Sequence, residues 1–413
     1  MNIRRSAALV AATVAIGAAM APAAVADSPS PSPKIAVPSG LYGSTDPTYD
    51  GVWRQSLAFV AQDTVGVTPA KKAVDWLAGQ QCADGGFAAF RADPSKACDA
   101  KTAVDSNSTA AAVQALAAVG GHDAEVAKGA TWLKKNQNDD GGWGYNPGGA
   151  SDANSTGVVL GALSVSGDEP SEVRSGSGKN GVDALGTLAL PCSKGKDGGA
   201  LAYQPDKKGE LAANADATAA GVLGALSSGF AAEKGDAPDS YTCEGGADAK
   251  QYDGIAHNGA VYLQNQLSTH LYLTSQLAGA KDQPDYGNTA DAVTAVAAAE
   301  GIKYTKDPYA WLEKNAGAWA KQSGPAAYAQ LIFAAHATGN DPRDFGGTDL
   351  VSALNKTGPE PASTKSSNAS SDSDKKKDDD SGSGLGTWWI VGVMFVAAVG
   401  VGIMLSGRKK QQP

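Results

Sequence analysis

Polar and apolar positions along the chain fall into two alternating kinds of segment. The first kind opens on a polar residue and has Thr four residues later. It then runs through Ala, Gly, Val and Leu to a closing glycine. Asp105/Thr109, Asp152/Thr156 and Asp285/Thr289 start three copies and Asn214/Thr218 a fourth; Gly120, Gly167, Gly301 and Gly229 close them. A polar cap at the start and a glycine at the end are helix start and stop signals. Composition that is apolar nearly all round predicts thin helices buried inside the molecule. Segments 50–62 and 324–338 are read as the first and last of these, giving six inner helices.

Segments of the second kind lie between them, at 70–81, 125–137, 180–190, 259–277 and 307–321, with a weaker one at 348–355. Most carry Lys, Glu or Gln on one face, and four carry an aromatic at Trp76, Trp132, Tyr262 or Trp311. They read as amphipathic outer helices. Alternating inner and outer helices in this number predict an all-α fold, an (α/α)6 toroid; an open solenoid of helix hairpins is the rival.

A glycine-rich turn follows the outer helices. Two strong copies read Gln81-Cys82-Ala83-Asp84-Gly85-Gly86-Phe87 and Gln137-Asn138-Asp139-Asp140-Gly141-Gly142-Trp143; Asp197-Gly198-Gly199 is a third, degraded one. Glycine permits the positive φ that a sharp reversal needs. With Trp76-Leu77 and Trp132-Leu133, these residues resemble the Gln-Trp repeat of the prenyltransferase and squalene-cyclase superfamily. The strong copies cover about 70–167 and the weaker ones extend to about 49–355. The resemblance implies the toroid, but the superfamily spans cyclases, prenyltransferase subunits, thioester domains and the secreted cobalamin carriers, so fold leaves function open.

The ends of the chain have a different character. Residues 1–26 carry Arg4 and Arg5, an Ala/Val/Ile run and a small-x-small site, Ala24-Val25-Ala26, and read as a signal peptide. Residues 27–48 are read as a Pro/Ser-rich linker and 356–384 as a disordered Ser/Lys/Asp stalk. Residues 385–405 are read as one transmembrane helix; its uncharged core from Trp388 to Leu405 would extend about 27 Å at 1.5 Å per residue. Arg408, Lys409 and Lys410 in the tail, 406–413, orient it with the N-terminus outside. The expected location is the extracellular face of the cell membrane, anchored by a single pass.

The formal charge of −9 becomes −11 without Arg4 and Arg5, and −14 without the three tail cations as well. With no basic patch, nucleic acid is excluded as a partner. Cys82, Cys98, Cys192 and Cys243 permit three pairings, and neighbour pairing predicts Cys82–Cys98 and Cys192–Cys243. Their spacing matches no zinc site.

Each catalytic branch of the resembled superfamily requires residues that are missing. There is no Asp-x-Asp-Asp to protonate an alkene or epoxide; Asp139-Asp140 and Asn214-Ala215-Asp216 come nearest. All four cysteines are expected in disulfides, so a Cys-containing zinc site is not expected, and Cys243 lacks the thioester motif around it. A secreted, disulfide-stapled toroid without these groups is most similar to the cobalamin carriers, without their β-rich second domain. The function expected is non-catalytic capture of a small molecule at the cell surface, with a corrinoid as named ligand. A membrane transporter and a separate β-rich chain are the implied partners. The alternatives are a cyclase-like or carbohydrate-active enzyme, favoured by acids deep in the cavity, and a surface interaction module, favoured by a cavity plugged by its own side chains.

Inner helices that start at one end gather their first turns around one mouth. The candidate ligand-binding ring is Tyr49, Asp50, Trp53, Arg54, Asp105, Asn107, Thr109, Asp152, Asn154, Asp216, Tyr286, Asn288 and Asp291, with Trp143 and Tyr145 as a roof. It offers acceptors, one cation and aromatic faces. Helix capping accounts equally for the Asp, Asn and Thr positions, and packing between repeats for Trp143.

Overall fold

A computed structural model describes residues 35–246, 248–276, 280 and 282–364. The expected signal peptide, transmembrane helix and tail, the start of the expected linker and the expected stalk beyond 364 lie outside the described residues. Among those described, no helix is long and apolar enough to cross a membrane.

Six helices form the inner ring: α1 (Gly51–Thr64), α3 (Ser106–Val119), α5 (Ala153–Val165), α7 (Ala215–Ala225), α9 (Tyr286–Glu300) and α12 (Pro325–Thr338). Each packs against the next, and α12 returns to α1, so the ring is closed and the solenoid is excluded. Outside it lie α2 (Lys71–Gly79), α4 (Asp123–Lys135), α6 (Gly181–Leu188), α8 (Tyr252–His270), the pair α10 (Lys306–Asn315) and α11 (Gly317–Ser323), and α13 (Leu350–Asn355). The fold is the all-α toroid, with a core of Leu, Val and Ala between the two layers.

Small residues let the inner helices approach closely. A Cβ added at Gly224 on α7 would stand 2.5 Å from the Cα of Gly157 on α5. Gly259 does the same for α8: Val222 crowds its face, so this glycine lies inside the helix and does not start it. That is why α8 begins at Tyr252 instead of at 259 as the spacing predicts. The outer segment 307–321 is likewise two helices meeting at Ala316, where the Asn315 amide donates back to the Trp311 carbonyl at 2.7 Å.

The repeated motif has a precise structural role. Asp105, Asp152, Asn214 and Asp285 cap the third amide of their helices, at 2.6, 2.6, 2.9 and 3.1 Å. The Thr four residues on accepts a backbone N–H from the turn before its helix: Phe87 to Thr109 and Trp143 to Thr156 directly after Gly-Gly, Leu201 to Thr218 two residues after it, and Leu273 to Thr289 where the turn has no glycine. Gln81 and Gln137 close the turns, donating to Gly85 and Gly141 and to the following outer layer at Glu125 and Val173. Gly141 sits at φ 92, with a virtual Cβ only 2.1 Å from the Asn180 carbonyl oxygen. No side chain fits there.

Both predicted disulfides form, Cys82–Cys98 and Cys192–Cys243, and no free cysteine is present among the described residues. Such staples are the mark of an extracellular or secreted protein. Three two-residue antiparallel ladders complete the body: β1 (Val67–Thr68) with β6 (Ser363–Thr364), β2 (Phe87–Ala88) with β3 (Val104–Asp105), and β4 (Leu273–Thr274) with β5 (Pro284–Asp285). The first shows that the ordered body exceeds the expected 49–355. Tyr42, read as linker, is fully buried, and Gly43 donates to the Thr357 carbonyl in the expected stalk. One buried tyrosine outweighs the loop-like composition around it.

Candidate functional site

The inner helices all begin at one mouth, and their second residues follow one register: Asn107 on α3, Asn154 on α5, Asp216 on α7 and Gly287 on α9. The Asn154 amide reaches across to the next helix and donates to Asp216 Oδ2 at 2.7 Å. One turn deeper, Asp291 on α9 accepts from Gln330 of α12 at 2.8 Å. Four successive inner helices thus present amide, acid, acid, amide. Asp291 lies six residues past the α9 cap, about 9 Å down the helix.

Asp216 and Asp291 keep solvent-accessible surface, yet removal from bulk water is the largest influence on both. It raises Asp216 to about 6 and Asp291 to about 8. Both carboxyls thus stand inside the ring of inner helices, partly exposed and largely removed from bulk water. Like charge pushes the same way, from Asp216 and then Asp285 on Asp291, and from Asp285 and then Asp152 on Asp216. Asp291 is therefore a neutral carboxylic acid at pH 7.

The cavity has a floor. The loop after α7 turns inward at Gly229, and the Phe230 ring lies 5.4 Å from Trp53 on α1 and 6.2 Å from Phe333 on α12. The Phe230 amide donates to Gln114 of α3 at 2.9 Å, and Gln114 in turn donates to Val158 of α5. Further along, Gly235 donates to Ala297 of α9 and Glu233 meets His336 of α12 at 3.0 Å. One loop thereby contacts the other five inner helices and closes the ring below the polar belt.

The predicted ring divides into three groups. Asn107, Asn154, Asp216 and Asp291 belong to the polar belt, and Trp53, the third residue of α1, stands at the same level of the ring. Asn107 is buried, and its Oδ1 has no hydrogen-bond partner. A second group lies on the rim. Tyr49, Asp105 and Tyr145 line a cleft of about 590 Å³ with Phe90, walled by the segment that Cys82–Cys98 staples. Burial lifts Asp105 to about 6, and burial beside Asp105 lifts Tyr145 to about 12.

The remaining residues hold structure. Arg54 is 2% exposed and donates to Tyr42, Thr45 and Asp50, so the ring's expected cation is engaged. Desolvation raises its partner Asp50 above the usual carboxylate range despite the guanidinium. Thr109 and Asp152 serve the turn and the cap described above. Asn288 bonds Asp285 twice, and Tyr286 stacks between Trp311 and Trp319. Trp143 is fully buried and donates from Nε1 to the Leu133 carbonyl, a clasp between repeats and not a roof.

Three residues were not foreseen. Gln330 sits in an inner helix without the Asp-x-x-x-Thr start, and Phe230 lies past a helix end. Tyr203, which follows the degraded glycine turn as Tyr145 follows the second, is 44% exposed beside Asp152 and Asp216. Its spacing from Gly198-Gly199 is the signal that reveals it.

No protein-family model and no curated protein matches the chain. Among solved structures, a protein from Actinoplanes is similar over 74% of this chain and 96% of its own, at 14% identity and TM-score 0.47. The type II terpene cyclase MstE from Scytonema, in its apo form, is similar over 68% of each chain at 12% identity and TM-score 0.37. Likeness at this level says nothing about activity or ligand.

Proposed function

We propose that this protein is an extracellular capture protein whose toroid binds a small polar molecule at the inner-helix N-terminal mouth without transforming it. The observation that carries this reading is the enclosed yet accessible belt of Asn154, Asp216, Asp291 and Gln330 over an aromatic floor. Side chains committed only to packing would leave no accessible carboxyl there. The ligand implied by the resemblance to the cobalamin carriers is a corrinoid, whose rim of amides would donate N–H groups to acceptors of this kind. Anchoring through residues 385–405, delivery to a transporter and completion by a separate β-rich chain belong to the same proposal.

A second reading has one observation in its favour: Asp291 holds its proton at neutral pH, deep in an aromatic-floored cavity, which acid catalysis on a polyprene would use. Titration of the full-length protein with cyanocobalamin and cobinamide, followed by calorimetry and the corrin spectrum, tests the first. Saturable binding lost in Asp216→Asn is the expected result, and a spectrum unchanged by both compounds removes the corrinoid. In a polyprene incubation run alongside, product formed by the parent protein and absent with Asp291→Asn would replace capture by catalysis.

A further inference from the structure

We propose that the rim cleft beside the first turns of α1 and α3 is a second binding site, for an uncharged oligosaccharide laid across Tyr49, Phe90 and Tyr145. None of the belt residues Asn154, Asp216, Asp291 and Gln330 lines it, so it is independent of the ligand proposed for the mouth. Its volume of about 590 Å³ is that of an ordinary small-molecule site.

The first argument is the wall. Between the glycine turn and the helix cap the chain is longest in this repeat, at 87–105, against 143–152, 201–214 and 273–285 in the others. The added length is pinned. Cys82–Cys98 ties it to its own turn. The Arg91 guanidinium donates to the carbonyls of Gly79, Gln80 and Gln81 at 3.2, 3.1 and 3.3 Å, to Pro94 at 3.2 Å, and to Lys96. The Arg91 amide donates to Gln80 Oε1 at 2.7 Å. On the other side Tyr145 is fixed through its carbonyl, which accepts from Ser106 of α3. Loops held by a scaffold in this way are where binding surfaces are built, and a wall fixed beforehand adds no ordering cost when a ligand arrives.

The second argument is what the cleft leaves unused. Its charged groups are mostly engaged: Arg91 by those carbonyls, Lys96 with Asp93 at 3.3 Å, Asp99 by Thr102 and the Lys101 amide, and Asp105 as the α3 cap. Among the described residues, the hydroxyls of Tyr49 and Tyr145, the Asn146 side-chain amide and the Lys101 ammonium have no hydrogen bond or ion pair. Tyr49 is 85% exposed, so its ring stands in solvent at the edge of the cleft. Phe90 is set by stacking on Trp76 and by Gly51, where an added Cβ would stand 3.2 Å from its ring. The electron-rich faces of such rings take the C–H face of a pyranose, and hydroxyls, an amide and one ammonium bond its hydroxyls. A phosphate or other strong anion calls for several unpaired cations, and one remains. A lipid tail would leave the free polar groups without partners.

The test is calorimetric titration of the full-length protein with maltotetraose, cellotetraose and chitotetraose, using sorbitol as the match that has hydroxyls but no ring. The expected result is saturable binding of at least one tetrasaccharide and none of sorbitol, weakened roughly tenfold or more in Tyr49→Ala. Tyr49 is too exposed for that change to unfold the protein. Ile302→Ala, at a side chain 45% exposed outside the cleft, should bind as the parent does. Raising sodium chloride from about 50 mM to about 500 mM should change Kd by less than about twofold, because no charge pair carries the contact. Binding of none of the three sugars, parental affinity in Tyr49→Ala, an equal loss in Ile302→Ala or collapse of binding at high salt overturns the proposal. Corrinoid binding through Asp216 is read separately, so either site can fail while the other stands.

Discussion

The two ends of the inner ring are made by the same helices and could hardly differ more. At the N-terminal end, free backbone N–H groups demand acceptors, and Asp, Asn and Thr supply them. Those residues are alike from copy to copy because they do the same job in each. At the other end the Phe230 loop seals the ring with aromatic contacts and a few hydrogen bonds. The lesson lies in where the copies disagree. Asp105, Asp152 and Asp285 are equivalent and structural. Asp216 and Asp291 stand at register positions where the other inner helices carry no acid, and with Asn154 and Gln330 they form the polar belt.

The comparison breaks most visibly at the mouth's scaffold. Trp143→Ala should cost about 3–5 kcal/mol, as removal of a fully buried Trp does, measured by urea unfolding. A loss under about 1 kcal/mol would mean that the turn does not hold the repeats together. Phe230→Ala should cost less, about 2 kcal/mol, because the ring is only partly buried. Hydrogen exchange should then quicken in the last turns of α3 and α12 and stay slow in the first turns of α5. Spread of the effect to both ends would deny their independence.

The smallest effect is a pH slope. Asp291 is raised to about 8 by burial, so the folded state keeps a proton that the unfolded chain releases near its ordinary carboxylate value. Stability contributed this way is complete below about pH 4. It is lost as pH rises through the folded value of about 8. Asp291→Asn should flatten that decline, by about 1 kcal/mol between pH 5 and pH 8 after allowance for the carboxyl's accessible surface. Identical pH profiles for the two proteins would place Asp291 in open water instead of an enclosed cavity.

The architecture was legible because it is written in repetition. Glycine turns, capping residues and alternating composition mark nearly every helix, and neighbouring cysteines pair as their spacing predicts. The α8 start was not legible, since Gly259 serves helix contact and looks like a boundary. Of the site, Asn154, Asp216 and Asp291 could be named from their helix positions. What could not be read was their separation from capping neighbours such as Asp105, because residue type is identical and only direction differs. Phe230 was out of reach for another reason: its contacts with Trp53, Gln114 and Phe333 are all distant in sequence.

A ring closed below is a cup and not a conduit. Whatever enters past Tyr49, Tyr145 and Tyr203 must leave by the same door, so loading and unloading compete for one opening. If the proposed capture is right, a recipient of the ligand has to dock over the inner-helix N-termini, and while docked it bars the next molecule from entering. Transfer under that proposal would proceed one molecule at a time.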